Sequence, residues 1–321
     1  MGTISPQQVI YLSPTDGIHD QRWIQALKSL GYAVTTEISP ATPPRVPLVV
    51  GPLTAMDRGL LNRANPVIGL SWGFDLHQLV EAGDTAWLAH LDGIIVDSEP
   101  TRIIARESGI PESGITVIPW GIELDTFSST SSRDTHSPVR LVTLRAHEDL
   151  YQVDVILRAV ALLQESGQSC QLQVGNTGSL SDNLKNLADE LQLKDCQFIG
   201  RVDESSLPEL LSESDVYLSA AVTDGTSVTL LQAMAMSVPV VVSNSPGNVA
   251  LLDGPSGPLG RTFETGNADS LVQEILACLS HPEQTLGMTE RARIHVQESA
   301  NWSKNVLRLQ TLIETVQHES S

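Results

Sequence analysis

Short β-branched runs alternate with longer stretches of helical period along nearly the whole chain, and this alternation narrows the folds open to it more than any other feature. The runs are Val9 to Leu12, Ala33 to Thr36, Leu48 to Val50, Val67 to Leu70, Gly93 to Val96 and Ile115 to Ile118. Between them Trp23, Ile24, Leu27 and Leu30 recur at helical spacing, and Ile103 and Ile104 sit in a helix predicted after Asp97-Ser98-Glu99. A βα series of this kind builds a parallel sheet with crossover helices. With 41% apolar but only 4% aromatic residues, the composition suits an α/β protein better than a β-sandwich.

Residues 128–138, SSTSSRDTHSP, carry no apolar side chain able to anchor a core and read as a linker. The series then restarts. Val139 to Thr143, Gln171 to Val174, Gln197 to Ile199, Val216 to Leu218 and Val238 to Val242 are predicted strands, with helices centred near Ala159, Leu187, Leu210, Leu231 and Val272. The expectation is two Rossmann-like domains, 1–127 and 139–301. A strandless helical stretch from Glu283 to His318 caps one of them or crosses to the other, and about 302–321 is the part expected to pack back on the first.

The formal charge is −19, and both halves are acidic. No basic face remains to track a nucleic-acid backbone, and no Lys/Arg cluster favours an anionic lipid surface, so any membrane association would be weak and peripheral. Cys170, Cys196 and Cys278 are odd in number and widely spaced, which indicates neither a disulfide framework nor a zinc site. The N-terminus MGTISPQQ shows no basic and apolar leader, and the expected location is cytoplasmic.

The densest chemical signal is Thr223 to Asn248, TDGTSVTLLQAMAMSVPVVVSNSPGN, directly after a predicted strand. Asp224 and Gly225 suit a turn, Thr226 and Ser227 suit an N-cap, and a helix begins at Val228. Backbone N–H groups of Thr226, Ser227 and Val228 would then point out of the carboxyl end of a parallel sheet, where the helix dipole favours a diphosphate. A plain strand-to-helix turn is an equally good reading of these four residues alone.

The segment resembles the E-x7-E signature of family 4 glycosyltransferases, including the LLQAMAMSVPVVVS run that follows it. DGIIVDS and ITVIPWGIELDTF are similar to the end of that family's N-terminal lobe. Leu144-Arg145, Tyr151 to Leu163, Leu172 to Asn176, Phe198-Ile199-Gly200-Arg201 and Asn301-Trp302 are similar to parts of its second lobe and returning C-terminal helix. The likeness covers some two-thirds of the chain and is that of a short bacterial member of the polysaccharide-biosynthesis type.

This resemblance implies the GT-B fold, α/β with two Rossmann-like domains facing each other across a cleft. It further implies a retaining transfer of a hexose, glucose preferred, from a UDP-sugar to a saccharide or lipid-linked saccharide in polysaccharide or glycoconjugate biosynthesis. Asp224 stands where the first signature carboxylate contacts the donor sugar, and Gln232 where the second accepts from the ribose. Arg145 matches the arginine on the diphosphate. Gly175, Asn176, Arg201 and Val202 would admit base and ribose, or form ordinary turns, while Gly225, Thr226, Ser227, Val228 and Leu231 complete the donor side. No cofactor and no metal are implied, since arginine and helix dipole take the cation's role.

The chain also departs from the family. Tyr151-Gln152 replaces a lysine and glycine, and Gln232 and Asp224 replace two glutamates. The first-lobe glycine-rich loop is Asp16-Gly17-Ile18-His19-Asp20, in which His19 and Asp20 either touch substrate or form a cap and a solvated histidine. In Ser71-Trp72-Gly73-Phe74-Asp75, Trp72 stands in place of a histidine, and its ring either stacks on a sugar or fills the core; Asp75 keeps the family's carboxylate. These changes motivate an alternative, a catalytically degenerate homologue that binds a nucleotide sugar or a partner. A dinucleotide-dependent oxidoreductase shares the Rossmann pattern but needs G-x-G-x-x-G after a strand, and none follows Val9 to Leu12 or Val139 to Thr143; an absent effect of NAD on the melting temperature would close that option.

Overall fold

The computed structural model describes residues 7–15, 17–39, 42–128, 137–223 and 226–319. The chain divides into two compact units, Met1–Trp120 with Trp302–Ser321, and Gly121–Asn301.

The first unit holds β1 (Gln8–Leu12), β2 (Ala33–Thr35), β3 (Leu48–Val50), β4 (Val67–Leu70), β5 (Gly93–Val96) and β6 (Ile115–Val117). All pair in parallel in the order β2-β1-β3-β4-β5-β6. Every residue of β3, β4 and β5 is buried, which is why LVV, VIGL and GIIV are continuously apolar rather than alternating. One face of the sheet packs Trp23, Leu27, Trp302, Leu309 and Ile313. The other packs Leu53, Leu76, Leu88 and Ala105.

The second unit holds β7 (Val139–Thr143), β8 (Cys170–Gly175), β9 (Cys196–Gly200), β10 (Val216–Ser219), β11 (Val240–Ser243) and β12 (Arg261–Phe263). Its order is β12-β11-β10-β7-β8-β9, again all parallel. Counted from β7, this is the 3-2-1-4-5-6 order of dinucleotide-binding sheets. The strand order reverses between β7 and β10, and ligands of such sheets bind outside the carboxyl ends at that point.

Two elements differ from the sequence reading. The strand β12 and the helix Pro246–Leu252 before it were not expected. Only three residues long, with Arg261 and Thr262 half-buried, β12 offers no apolar run and becomes a strand by pairing with β11. The boundary between the units falls after Trp120 rather than after Phe127. Ile122 and Phe127 are buried in the second core, and the Ile122 N–H donates to the Ala300 carbonyl at 2.8 Å. Most of the expected linker, residues 129–136, lies outside the described residues.

Among the described residues no helix is long and apolar enough to cross a membrane, and no group of three or more His, Cys, Asp or Glu side chains could hold a metal ion.

Candidate functional site

At the reversal point of the second sheet, Arg145 leaves the end of β7 two residues beyond Thr143, and Ser227 caps the helix Val228–Ala235 that follows β10. Arg145 is only 8% exposed, and its Nη1 donates to the Ser227 hydroxyl oxygen. The same oxygen accepts from the Leu230 N–H at 3.4 Å. It lies 3.3 Å from the Thr229 hydroxyl, which is 2.8 Å from the Tyr217 hydroxyl on β10. A helix cannot satisfy its own first-turn N–H groups, so those of this helix carry partial positive charge beside a buried guanidinium. The arrangement concentrates positive potential where two negative oxygens could be held.

The Tyr151 ring lies under the guanidinium, with Arg145 Cζ 4.2 Å from the ring centroid. The Val222 N–H donates to the Leu150 carbonyl at 2.9 Å, which ties the segment after β7 to the segment after β10.

Gln232 is one helical turn beyond Val228, 3% exposed, and its Oε1 has no hydrogen-bond partner among the described residues. A buried amide oxygen without a donor is costly, so this atom is a ready acceptor for a ligand hydroxyl. Leu231, at 1% exposure, packs into the core instead, and Val228 is half-buried against the same core face. Thr226 is half-buried at the loop end. Asp224 and Gly225 lie outside the described residues.

Gly175 serves packing rather than ligand space. A Cβ there would come 2.7 Å from Leu144 Cδ2, so the volume reserved by the glycine is already filled. The following Asn176 adopts a left-handed φ of 75°, its N–H donates to the Gly200 carbonyl at 2.5 Å, and the two loop ends after β8 and β9 are joined. Arg201 is exposed beside them and Val202 half-buried.

One residue here was missed by the sequence reading. His147 is 1% exposed; its Nε2 lies 3.2 Å from the Gly175 carbonyl and its Nδ1 2.9 Å from the Ser181 hydroxyl. A carbonyl can only accept, so Nε2 carries the proton. Burial holds its pKa below the ordinary histidine value. Between the unfolded value of about 6.5 and the lower folded value, the unfolded chain binds more protons, so stability falls as pH falls through that window. Above it the residue adds no pH dependence. Urea unfolding at pH 7.5 and 5.5 is expected to show a smaller loss for His147→Gln than for the wild type; equal losses would remove His147 as the source.

On the first unit, Asp20 and Asp75 are internal ties, and Asp20 takes the cap role that was the alternative to a substrate contact. Asp20 is 1% exposed and accepts from Tyr11 Oη (2.9 Å), Thr15 Oγ1 (2.6 Å) and the Gly17 N–H (3.0 Å). Burial alone would raise its pKa, but hydrogen bonds from Thr15, Ser13, Tyr11 and Gly17 outweigh it and hold the carboxyl below its usual range. Asp75 is fully buried and accepts from the N–H groups of Leu53 (2.7 Å), Trp72 (2.9 Å) and Leu76 (2.9 Å) and from the Ser71 hydroxyl (2.8 Å). Burial pushes its pKa up despite those donors. Gly73 allows this loop its φ of 85°. Both carboxylates hold loops in place and neither presents a surface to a sugar.

His19 and Trp72 are differently placed. His19 is exposed, with its ring 4.9 Å from Trp120 and 5.6 Å from Trp72. Trp72 is half-buried, meets Phe74 at 6.4 Å, and its Nε1 has no partner among the described residues. Phe74, which sequence reasoning passed over although it lies inside the Trp72 to Asp75 stretch, is 55% exposed. Together they form an aromatic shelf after β1 and β4. Asp16 lies outside the described residues. A cavity of about 110 Å³ in the second unit, between Val216, Pro239, Cys278 and Leu286, opens at the amino ends of β10 and β11 and holds none of these residues.

Known proteins resemble both the architecture and the sequence. Anabaena HepE, whose crystal structure contains UDP and glucose, superposes with a TM-score of 0.72 at 12% identity, covering 96% of this chain and 100% of its own. A glycosyltransferase from Rickettsia africae superposes at 0.74 and 15% identity, over 98% and 99%. These likenesses show the fold, two Rossmann-like domains of GT-B type. The amylovoran biosynthesis glycosyltransferase AmsK of Erwinia amylovora is 25% identical over 200 residues, which is 60% of this chain and 49% of AmsK. The D-inositol 3-phosphate glycosyltransferase of Nocardiopsis dassonvillei is 27% identical over 248 residues, 70% of this chain and 56% of the relative. The chain thus spans about half the length of the curated relatives it matches. The sequence model of the glycosyl transferases group 1 family matches residues 133–295, just over half of the 321, and because that stretch contains both strands of the reversal point and the Arg145–Ser227 pair they position, the chain belongs to the glycosyl transferases group 1 family.

Proposed function

We propose that the protein transfers a hexose, with glucose preferred, from a UDP-sugar to a saccharide or lipid-linked saccharide in polysaccharide or glycoconjugate biosynthesis, retaining the anomeric configuration. The observation that carries this reading is the buried Arg145 guanidinium held on Ser227 at the N-terminus of Val228–Ala235. Breakage of the bond between the anomeric carbon and the diphosphate oxygen leaves the electron pair, and an added negative charge, on the diphosphate. Arg145 and the amides of Thr226 to Val228 stabilise that charge, which is the form of catalysis preorganised dipoles perform best.

Asp224 orients the hexose, and Gln232 Oε1, buried and without a partner among the described residues, accepts from a ribose hydroxyl. Asn176, Arg201 and Val202 border the base. The acceptor hydroxyl attacks the same face that the leaving group departs, and its proton passes to the leaving phosphate. No side chain acts as a covalent nucleophile, and neither a metal nor a cofactor is needed. AmsK is named for amylovoran biosynthesis, and HepE was crystallised with UDP and glucose, which supports this substrate class.

Thermal shift and calorimetry with UDP, UDP-glucose, UDP-N-acetylglucosamine, GDP-mannose and NAD test the donor. A ligand at a hundred times its Kd stabilises the native state by about 2.7 kcal/mol, so saturable stabilisation by a UDP-sugar is the expected result. Silence across the panel sinks the proposal.

On the first unit the His19–Trp72–Phe74 shelf takes the acceptor, because an aromatic face stacks on the apolar C–H face of a pyranose while His19 can bond a hydroxyl. Phe74→Ala is expected to raise the acceptor KM about tenfold, in line with one lost aromatic contact, with donor KM unchanged. An equal rise in both would remove the shelf from acceptor binding.

A further inference from the structure

We propose that Tyr151 is a positioning residue whose ring, not its hydroxyl, holds Arg145 ready for the diphosphate. The inference rests on the donor reading above and goes beyond it by assigning how a single guanidinium is preorganised.

The geometry has two fixed ends. Arg145 Cζ lies 4.2 Å over the Tyr151 ring, well inside the range at which an aromatic face attracts a cation, and Nη1 is anchored on Ser227. The ring cannot swing away easily. Tyr151 is half-buried and packed against the apolar core of the second unit, and it ends a short 3-10 turn, Asp149–Tyr151, in which its own N–H donates to the Glu148 carbonyl at 2.9 Å. The Val222 N–H to Leu150 bond secures the same turn from β10's side.

A free arginine side chain has large rotamer freedom to lose on gripping a ligand. Here that loss is taken during folding, so less is charged against binding. The ring covers one flat face of the guanidinium and occupies none of its N–H groups.

The test uses the full chain and UDP as probe, by calorimetry, on wild type, Tyr151→Phe, Tyr151→Leu and Arg145→Ala, with the melting temperature of each ligand-free variant recorded. Tyr151→Phe is expected to bind UDP within about twofold of wild type, and Tyr151→Leu about five- to twentyfold more weakly, the span of one cation–ring contact. The Arg145 Hε resonance, identified by its loss in Arg145→Ala, is expected to be ring-current shifted in wild type and in Tyr151→Phe and to relax in Tyr151→Leu. The wild-type resonance alone tests the stacking if the leucine variant does not fold. An unshifted wild-type resonance, an unaffected leucine variant, or a phenylalanine variant as weak as leucine overturns the inference while the donor reading stands. Wild-type affinity in Arg145→Ala, or no UDP binding by the wild type, overturns the donor reading and this inference with it.

Discussion

Arg145→Ala is expected to lower the rate of sugar transfer about 100- to 1000-fold, the usual cost of removing one preorganised donor from a developing negative charge. The effect is large because the side chain is buried at the reversal point of the second sheet and is fixed to Ser227 and over Tyr151 before any ligand arrives. Arg145→Lys should recover only part of the loss. A lysine keeps the charge but not the planar fork, and it cannot both reach Ser227 and present a second N–H edge. The measurement is kcat/KM with whichever nucleotide sugar stabilises the protein, alongside circular dichroism to show that the variant is folded. A folded Arg145→Ala enzyme within fivefold of wild type would remove the diphosphate role.

Ending the chain after Asn301 is expected to unfold the first unit and leave the second folded. Trp302, Val306, Leu309, Leu312, Ile313 and Val316 are each 5% exposed or less and belong to the core on one face of the first sheet. At about 1.5–3 kcal/mol for each buried side chain, their removal forfeits roughly 9–18 kcal/mol, comparable to the whole stability of an ordinary domain at about 5–15 kcal/mol. Trp302 also stacks on Trp120, with centroids 5.7 Å apart and planes at 13°, and meets Trp23 edge-on at 5.2 Å. Amide exchange of the shortened chain would read both units at once. Retained protection in β3 to β5 would mean that the returning helix is an accessory to that core.

Much of the architecture was legible because strand and helix periods are local properties. Eleven of the strands correspond to β-branched runs read directly from the chain, since a strand buried on both faces must be apolar at successive positions. The Ser227 cap and the position of Arg145 at a strand end were legible too, because both are set by their immediate neighbours, while the part given to Arg145 came from the family resemblance. His147 was not, although it stands two residues beyond Arg145. A histidine acquires its meaning from what surrounds it, here the Gly175 carbonyl and Ser181 brought in from another loop.

The sequence by itself determined the βα series, its division into two Rossmann-like halves, and the placing of a guanidinium and a capped helix at strand ends, all consequences of short-range pattern. Only the tertiary structure decided that Asp20 and Asp75 tie loops rather than meet substrate, and that the Tyr151 ring lies beneath Arg145. β12 likewise exists through its pairing with β11. The physical reason is the same in each case. Burial and hydrogen-bond partnership are supplied by residues distant in sequence, and a polar or aromatic side chain takes its role from them.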